Sequence, residues 1–279
     1  MDEAHARFAA VIGGPLHVSR RQSRWLALRD DVVAFAADDE TGWQQLRREA
    51  WLLERWRAAG IPVPRLVRED AHHRVQVRER LHGLMGDDIE PRLFGGSPPD
   101  ARTRFADAAI SPFGERLAAS YGELAQRIRT AIAVDGAKTA GIALCPRREL
   151  DVDAAIGRLQ ASSASRAAKL AAERARAWLT AIPPPDAVIH ADLHFFNLCC
   201  AEDGTIVGLF DLDGAGIDAA ATELLYVHAL GPRFVAIALD AYGAIDGDDV
   251  RRAHARIALD HLRWHGPGSA RHEAIVGWV

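Results

Sequence analysis

The segment VIHADLHFFNLCC places His190, Asp192 and Asn197 in an H-x-D-x-x-x-x-N arrangement at the end of a β-like run. Beyond Asn197 the apolar run IVGLF ends in FDLDGAG, which delivers Asp211 and Asp213. The two segments read as one β-hairpin, turned at Asp203-Gly204, with a polar group at each open end. Phosphoryl transfer is the chemistry these types suit, because it needs a carboxylate beside an acceptor hydroxyl and oxygen ligands that hold Mg2+ against nucleotide phosphates. Asp192, in the loop between two short strands, is placed to orient the hydroxyl and accept its proton. Asn197 and Asp211 project oxygens towards one metal position, where the ion spreads the charge of the transferred group.

Other readings of the same residues stand beside this one. Asp192 and Asn197 can cap a turn, and Asp213 next to Gly214 reads equally as a turn residue. His190, Asp192 and His194 also form H-x-D-x-H, a cluster that suits zinc or iron in a metal-dependent hydrolase, although no further His or Cys arrangement nearby supplies a clear additional ligand. Cys199 and Cys200 are adjacent on a strand and point to opposite faces. With Cys145 they fit neither a disulfide framework nor a zinc spacing, and are expected as reduced thiols.

The elements that must position these residues follow from periodicity. From Pro15 to Ala37 the runs LHV, WLAL and VVAF alternate with polar turns and predict an antiparallel meander. Trp43, Leu46, Ala50 and Leu53 share one face of a helix from Trp43 to Ala59, whose positive start suits Asp38, Asp39 and Glu40. Gly60, Pro62 and Pro64 stop it, and VQVRERLHG predicts a further strand. Residues 1–82 thus read as a small α+β lobe. Residues 83–279 read as a larger, mainly helical lobe, with helical stretches from Phe113 to Val134 and Leu150 to Ile182, including an alanine-rich helix from Ala161 to Ala177. ATELLYVHAL also reads as a helix, whose start suits Asp218 and Glu223 for structural reasons alone.

With 49% hydrophobic and 26% charged residues and a net charge of −4, the 279-residue chain has the composition of a soluble protein without a dominant basic surface. Nucleic acid is not expected as a partner. The start MDEAHARFAAV is acidic, and no apolar run approaches the roughly 18 residues of a membrane span, so a cytoplasmic protein without a membrane partner is expected. Nothing in the pattern specifies an oligomeric state.

HADLHFFN followed by LFDLD resembles the H-G-D-x-H-x-x-N and I-D-W-D motifs of the aminoglycoside phosphotransferase and choline kinase superfamily. The resemblance implies an α+β, bilobal protein-kinase-like fold, with a small antiparallel-sheet lobe plus one helix and a larger lobe carrying the catalytic β-hairpin. It implies Mg2+, ATP or GTP as phosphoryl donor in the cleft, and a hydroxyl of a small molecule as acceptor, such as an amino sugar, a basic peptide antibiotic or choline. By the resemblance, Asp192 matches the catalytic aspartate, Asn197 and Asp211 the magnesium ligands, and His190 a histidine that braces the loop, while Ala191 replaces the usual glycine. LRREAWLLERWRAAGIPVP resembles the small-lobe helix, with Glu49 at its characteristic glutamate. VQVRERLHG resembles the strand leading to the hinge, which puts Glu79 among the nucleotide-binding candidates.

The small lobe departs from that family. VVAF puts Ala34 where relatives carry the lysine that touches the phosphates, and the chain's lysines, Lys138 and Lys169, lie elsewhere. SRRQSR, Ser19 to Arg24, stands where a glycine-rich turn is usual. Two explanations compete. Either Arg20, Arg21 or Arg24, in the turn opened by Ser19, takes over the phosphate charge, or the chain is a nucleotide- or metabolite-binding pseudokinase acting through partners. Arg20, Arg21 and Arg24 read equally as surface arginines, and Glu49, beside Arg47 and Arg48, as a solvated surface residue.

Overall fold

The computed structural model describes residues 3–13, 17–21, 24–99, 109–162 and 164–261. Helix α1 (Glu3–Ile12) precedes the meander β1 (His17–Arg21), β2 (Arg24–Leu28) and β3 (Val32–Ala37). Helix α2 (Glu40–Ala58) starts where Asp39 accepts a hydrogen bond from Gly42 N at 2.8 Å, one of the donors a helix start leaves open. Strands β4 (Leu66–Asp70) and β5 (Val75–Glu79) complete an antiparallel sheet of order β1-β2-β3-β5-β4.

Strand alternation gives this sheet two differently used faces. Ala27, Ala34, Ala36, Val75 and Val77 pack against Ala4, Phe8 and Val11 of α1. Phe35 and Ala37 face the other way, onto Trp43 and Leu46 of α2. In register, Phe35 lies between Leu26 and Gln76, and Val33 between Leu28 and Arg78. Ala34 therefore points away from the helix that carries Glu49.

Most of the remaining chain is helical: α3 (Ile89–Phe94), α4 (Pro112–Ala131), α5 (Val134–Thr139), α6 (Val152–Ala161), α7 (Arg166–Thr180), α8 (Pro232–Tyr242) and α9 (Gly247–His261). Leu117, Tyr121, Leu124 and Ile128 repeat at helical spacing along the buried face of α4. A side chain at Gly122 would collide with the backbone carbonyl of Ala238, so this glycine lets α4 and α8 approach closely. The same core includes Leu52, Leu53 and Trp56 from the C-terminal half of α2, which joins the sheet to the helices.

Two expected helices are broken. The alanine-rich stretch divides into α6 and α7, because Ser165 caps α7 by accepting from Ala168 N at 3.2 Å and Ser162 turns back onto Leu159 O at 2.6 Å. ATELLYVHAL forms two short 3-10 turns, Ala220–Leu224 and Val227–Leu230, which direct Glu223 inward. Among the described residues no helix is long and apolar enough to cross a membrane.

Candidate active site

Four short strands hold the chemistry-bearing loops. β6 (Ala187–Ile189) pairs with β9 (Gly216–Asp218), and β7 (Leu198–Cys200) pairs with β8 (Ile206–Leu209). The expected hairpin is therefore present, turned at Gly204, where φ is 93° and a side chain would run into the backbone of Phe113. Because the chain enters and leaves this pair of ribbons side by side, residues 190–197 and 210–215 form adjacent loops. Phe210 N donates to Asn197 O at 3.1 Å and closes the hairpin's open end.

Asp192 sits in the first loop with both carboxylate oxygens engaged. Oδ1 accepts from Arg147 Nη2 at 2.5 Å and from Tyr226 OH at 2.7 Å. Oδ2 accepts from Asn197 Nδ2 at 2.9 Å and lies 3.4 Å from His194 Nε2. Burial pushes this carboxyl's pKa up, but the His194 contact and the Arg147 charge outweigh it and hold the group well below the usual carboxylate range.

The loop is clamped from behind. Ala191 has φ 63°, a left-handed conformation that costs an ordinary residue about 1–2 kcal/mol. Its N–H, with that of His190, donates to Glu223 Oε2 at 3.0 and 2.7 Å, and its carbonyl accepts from Arg147 Nε at 2.7 Å. The alanine that stands for a glycine is thus held on both sides. Burial pushes the Glu223 pKa up to about 8 against those backbone bonds. His190 is fully buried, with Nε2 against Phe210 O at 2.9 Å and Nδ1 accepting from Asp192 N at 3.3 Å, while Tyr121 on α4 donates to Leu193 O at 2.7 Å.

Asn197 and Asp211 offer oxygen. Asn197 commits Nδ2 to Asp192, which leaves Oδ1 as its uncommitted atom. Asp211, exposed at φ 61°, makes no hydrogen bond or ion pair with any described residue. An amide oxygen and a carboxylate are the hard donors that Mg2+ takes, so this pair fits that ion. The H-x-D-x-H alternative fits less well, since both ring nitrogens of His190 are already engaged. Among the described residues no group of three or more His, Cys, Asp or Glu is arranged to hold a metal.

The small lobe supplies a cluster that the sequence reading left open. Glu49 is 1% exposed, not solvated, and takes Arg24 Nη1 on its two oxygens at 2.9 and 3.0 Å and Arg78 Nη2 at 2.8 Å. Burial alone would raise its pKa, but the two guanidinium groups hold it below the ordinary value. Both stack on Phe35, at 5.2 and 4.6 Å from the ring centroid. Arg24 also pairs with Asp213, linking the sheet to the second loop of the hairpin.

The other small-lobe candidates are not drawn into this cluster. Ser19, Arg20 and Arg21 belong to β1 and Arg24 to β2, so the described residues of SRRQSR are strand and not the expected loop. Arg20 shares the row of Trp25 and Ala36 on the α1 face and pairs with Asp38 at 2.5 Å. Ser19 lies across from Leu26, in the row of Phe35. Arg21 is paired by its backbone with Arg24. Glu79 accepts from Arg65 N at 3.3 Å and stands 3.9 Å from Arg57. Arg78, Arg147 and Tyr226 were not singled out by sequence. Only Arg78 carried a signal: in VQVRE polar residues alternate with valines, and a strand between two neighbours must find partners for them.

The sequence pattern of the phosphotransferase enzyme family matches residues 32–258. No curated protein sequence matches the chain. Among solved structures, the GDP and kanamycin complex of APH(2")-IIia superposes with a TM-score of 0.68 at 13% identity, over 94% of this chain and 90% of that one. Macrolide 2'-phosphotransferase MphH from Brachybacterium faecium, as the apoenzyme, gives 0.64 at 17% identity, over 99% and 97%. The streptomycin-ATP-APH(2")-IIa ternary complex gives 0.66 at 13%, over 99% and 95%. At these identities the likeness establishes the α+β, kinase-like fold. Together with the sequence match over most of its length, it shows that this chain belongs to the phosphotransferase enzyme family and is a small-molecule kinase by class.

Proposed function

We propose that the protein moves the γ-phosphoryl group of ATP or GTP to a hydroxyl of a small molecule in the cytoplasm. The nucleotide lies between a small lobe, residues 1–82, and a large lobe, residues 83–279. The observation that carries this reading is the pairing of Asp192 with Asn197 at 2.9 Å beside the uncommitted carboxylate of Asp211. Asp192 orients the acceptor hydroxyl and takes its proton while the acceptor oxygen bonds to the γ-phosphorus. The bond from that phosphorus to the bridging oxygen breaks, and the nucleoside diphosphate leaves. A carboxylate held this far below its ordinary pKa is a weak base, which suits a loose transition state in which the hydroxyl proton is lost late. Asn197 and Asp211 would hold Mg2+, which when bound neutralises charge on the nucleotide phosphates.

Arg24 is the small-lobe residue we assign to the phosphates, with Ser19 on the neighbouring strand. Arg78, fully buried, keeps Glu49 neutralised if Arg24 leaves it, and Asp213 is the partner Arg24 would exchange for phosphate oxygens. This division of labour removes the main support for a pseudokinase, which was the missing lysine. Incubation with Mg-ATP or Mg-GTP and a panel of aminoglycosides, macrolides, peptide antibiotics, choline and sugars tests the reading. A phosphorylated product detected by mass spectrometry is expected. Neither transfer nor nucleotide hydrolysis with any acceptor would overturn it in favour of a binding protein.

A further inference from the structure

Four donors surround the carboxylate of Asp192, and they are not equivalent. Oδ1 takes Arg147 Nη2 at 2.5 Å and Tyr226 OH at 2.7 Å, and Oδ2 takes Asn197 Nδ2 at 2.9 Å. The fourth, His194 Nε2, stands 3.4 Å from Oδ2, beyond the ordinary N–H···O range of about 2.7–3.2 Å. His194 Nδ1 accepts from Phe196 N at 3.2 Å, so in the neutral ring Nε2 carries the proton. Its other neighbour, Asn197 Nδ2 at 3.3 Å, is itself a donor, which leaves Oδ2 as the acceptor it faces.

Both donors on Oδ1 are fixed. Arg147 belongs to the turn Pro146–Glu149, which starts where Cys145 N bonds Ile217 O at 3.0 Å and is held by the pair Arg148–Asp218 at 2.6 Å. Its Nε is committed to Ala191 O at 2.7 Å, so the guanidinium cannot swing aside without releasing the left-handed residue 191. Tyr226 sits between the two 3-10 turns. The residue before it is held by His254 Nδ1 on Leu225 O at 2.8 Å, and its own carbonyl accepts from Ala229 N at 3.0 Å. Arg147 Nη2 also reaches Tyr226 OH at 3.2 Å, so the two donors brace each other. His194 is held more loosely, with its side chain 34% exposed and its ring edge-on to those of Tyr226 and Phe196 at 5.5 and 6.1 Å between centroids.

A carboxylate has about two acceptor sites on each oxygen. Arg147 and Tyr226 fill both sites of Oδ1, and Asn197 fills one of Oδ2. The same Asn197 amide carries the oxygen assigned above to Mg2+, which puts the open site of Oδ2 on the side of the phosphates.

We infer that Arg147 and Tyr226 are positioning residues that saturate Oδ1 and leave Oδ2 to receive the proton, and that the acceptor hydroxyl enters the place now held by the His194 N–H. The inference rests on the reading above, in which Asp192 is the base. The hydroxyl proton passes to Oδ2 as the acceptor oxygen bonds to the γ-phosphorus. The bond from phosphorus to the bridging oxygen breaks, with its electron pair on the leaving nucleoside diphosphate. Without an acceptor, His194 keeps that place from water and so restrains hydrolysis of the nucleotide.

Steady-state hydrolysis of Mg-ATP or Mg-GTP by the full chain tests this, because water then stands where the acceptor would. Tyr226→Phe keeps the ring and removes one donor from Oδ1. Its kcat should fall by about tenfold, with nucleotide KM and Mg-ADP affinity unchanged. Arg147→Gln should lose at least as much and Arg147→Lys recover part, since lysine can reach Oδ1 but cannot also hold Ala191 O. In an Asp192→Asn background Tyr226→Phe should cost less than twofold, because a residue that acts through another has no separate effect once that group is gone. His194→Ala should raise hydrolysis about two- to tenfold, the net worth of one hydrogen bond.

Tyr226→Phe within twofold of the wild-type rate, an undiminished loss in the Asp192→Asn background, or His194→Ala at or below the wild-type rate would overturn the inference. The two levels remain separable. A loss in Asp192→Asn without one in Tyr226→Phe would retain the kinase and discard the positioning role. A wild-type rate in Asp192→Asn, or a wild-type chain that neither transfers nor hydrolyses, would discard both.

Discussion

Arg24 on β2 reaches both carboxylate oxygens of Glu49 on α2, at 2.9 and 3.0 Å. The cation that this glutamate needs thus comes from a neighbouring strand, and a second one comes from β5, while β3 contributes the aromatic ring on which both lie. Ala34 is no vacancy in that arrangement, because its methyl group packs against α1 on the other face of the sheet.

A relocation experiment follows from those two faces. Arg24→Ala should weaken Mg-ADP binding about tenfold or more, as loss of a charge-assisted phosphate contact does. Adding Phe35→Lys to it should recover part of the affinity, because residue 35 faces Glu49. Adding Ala34→Lys should recover none. Calorimetric titration distinguishes the two, and equal recovery from both positions would contradict the assignment of faces.

Glu49 also stabilises the fold. Glu49→Ala leaves Arg78, 3% exposed, without its carboxylate, and removal of one partner from a buried pair costs about 3–5 kcal/mol. Urea denaturation should show a loss of that order, with Glu49→Gln intermediate. A change below about 1 kcal/mol, the range of surface pairs, would mean that the cluster is solvated.

Glu223 predicts a pH dependence of stability. Its folded pKa, about 8, lies above the ordinary value of 4.5, so between these values the folded protein binds more protons than the unfolded chain. This group's contribution therefore makes stability fall as pH rises from about 4.5 to about 8, then level off. Glu223→Gln keeps an oxygen for the N–H groups of His190 and Ala191 and should abolish that part of the slope. Glu223→Ala leaves both donors unpaired and should cost about 2–4 kcal/mol at any pH. Denaturation midpoints of the three proteins across this range decide it, and an unchanged slope in Glu223→Gln would exclude Glu223 as its source.

Metal content separates transfer chemistry from hydrolysis at the H-x-D-x-H cluster. With both ring nitrogens of His190 engaged by the backbone, purified protein should carry no stoichiometric zinc or iron. Chelator should stop turnover without unfolding the chain, and Mg2+ should restore it. One equivalent of zinc by elemental analysis would contradict this.

The hairpin was legible because its residues are close in sequence: His190 to Asn197 and Asp211 to Asp213 are fixed by short loops on paired strands. Helix α2 was legible from the spacing of Trp43, Leu46, Ala50 and Leu53, and the meander from its apolar alternation. What surrounds the site was not. Arg147 comes to Asp192 from 45 positions away, Tyr226 from 34, and Arg78 to Glu49 from 29, and no local pattern marks such meetings. Glu49 read as a surface residue because the arginines beside it in sequence, Arg47 and Arg48, are not the arginines beside it in space. The facing of β3 needed the register with β2 and β5, which sequence alternation alone leaves ambiguous by one residue. Helix α1, whose packing decides which face is which, is marked in the sequence only by Ala4, Phe8 and Val11 at helical spacing.

Rapid-quench measurement of γ-phosphoryl transfer by Asp192→Asn, with an acceptor the wild-type protein phosphorylates, bears most directly on the proposed chemistry. The asparagine keeps the shape of the side chain and can still accept from Arg147 and Tyr226, but it cannot take a proton. The rate should fall by about 10²–10⁴, the range for loss of a positioned general base, with Mg-ADP affinity unchanged. Transfer at the wild-type rate in that variant would show that the hydroxyl is activated elsewhere and that the hairpin is not the catalytic centre.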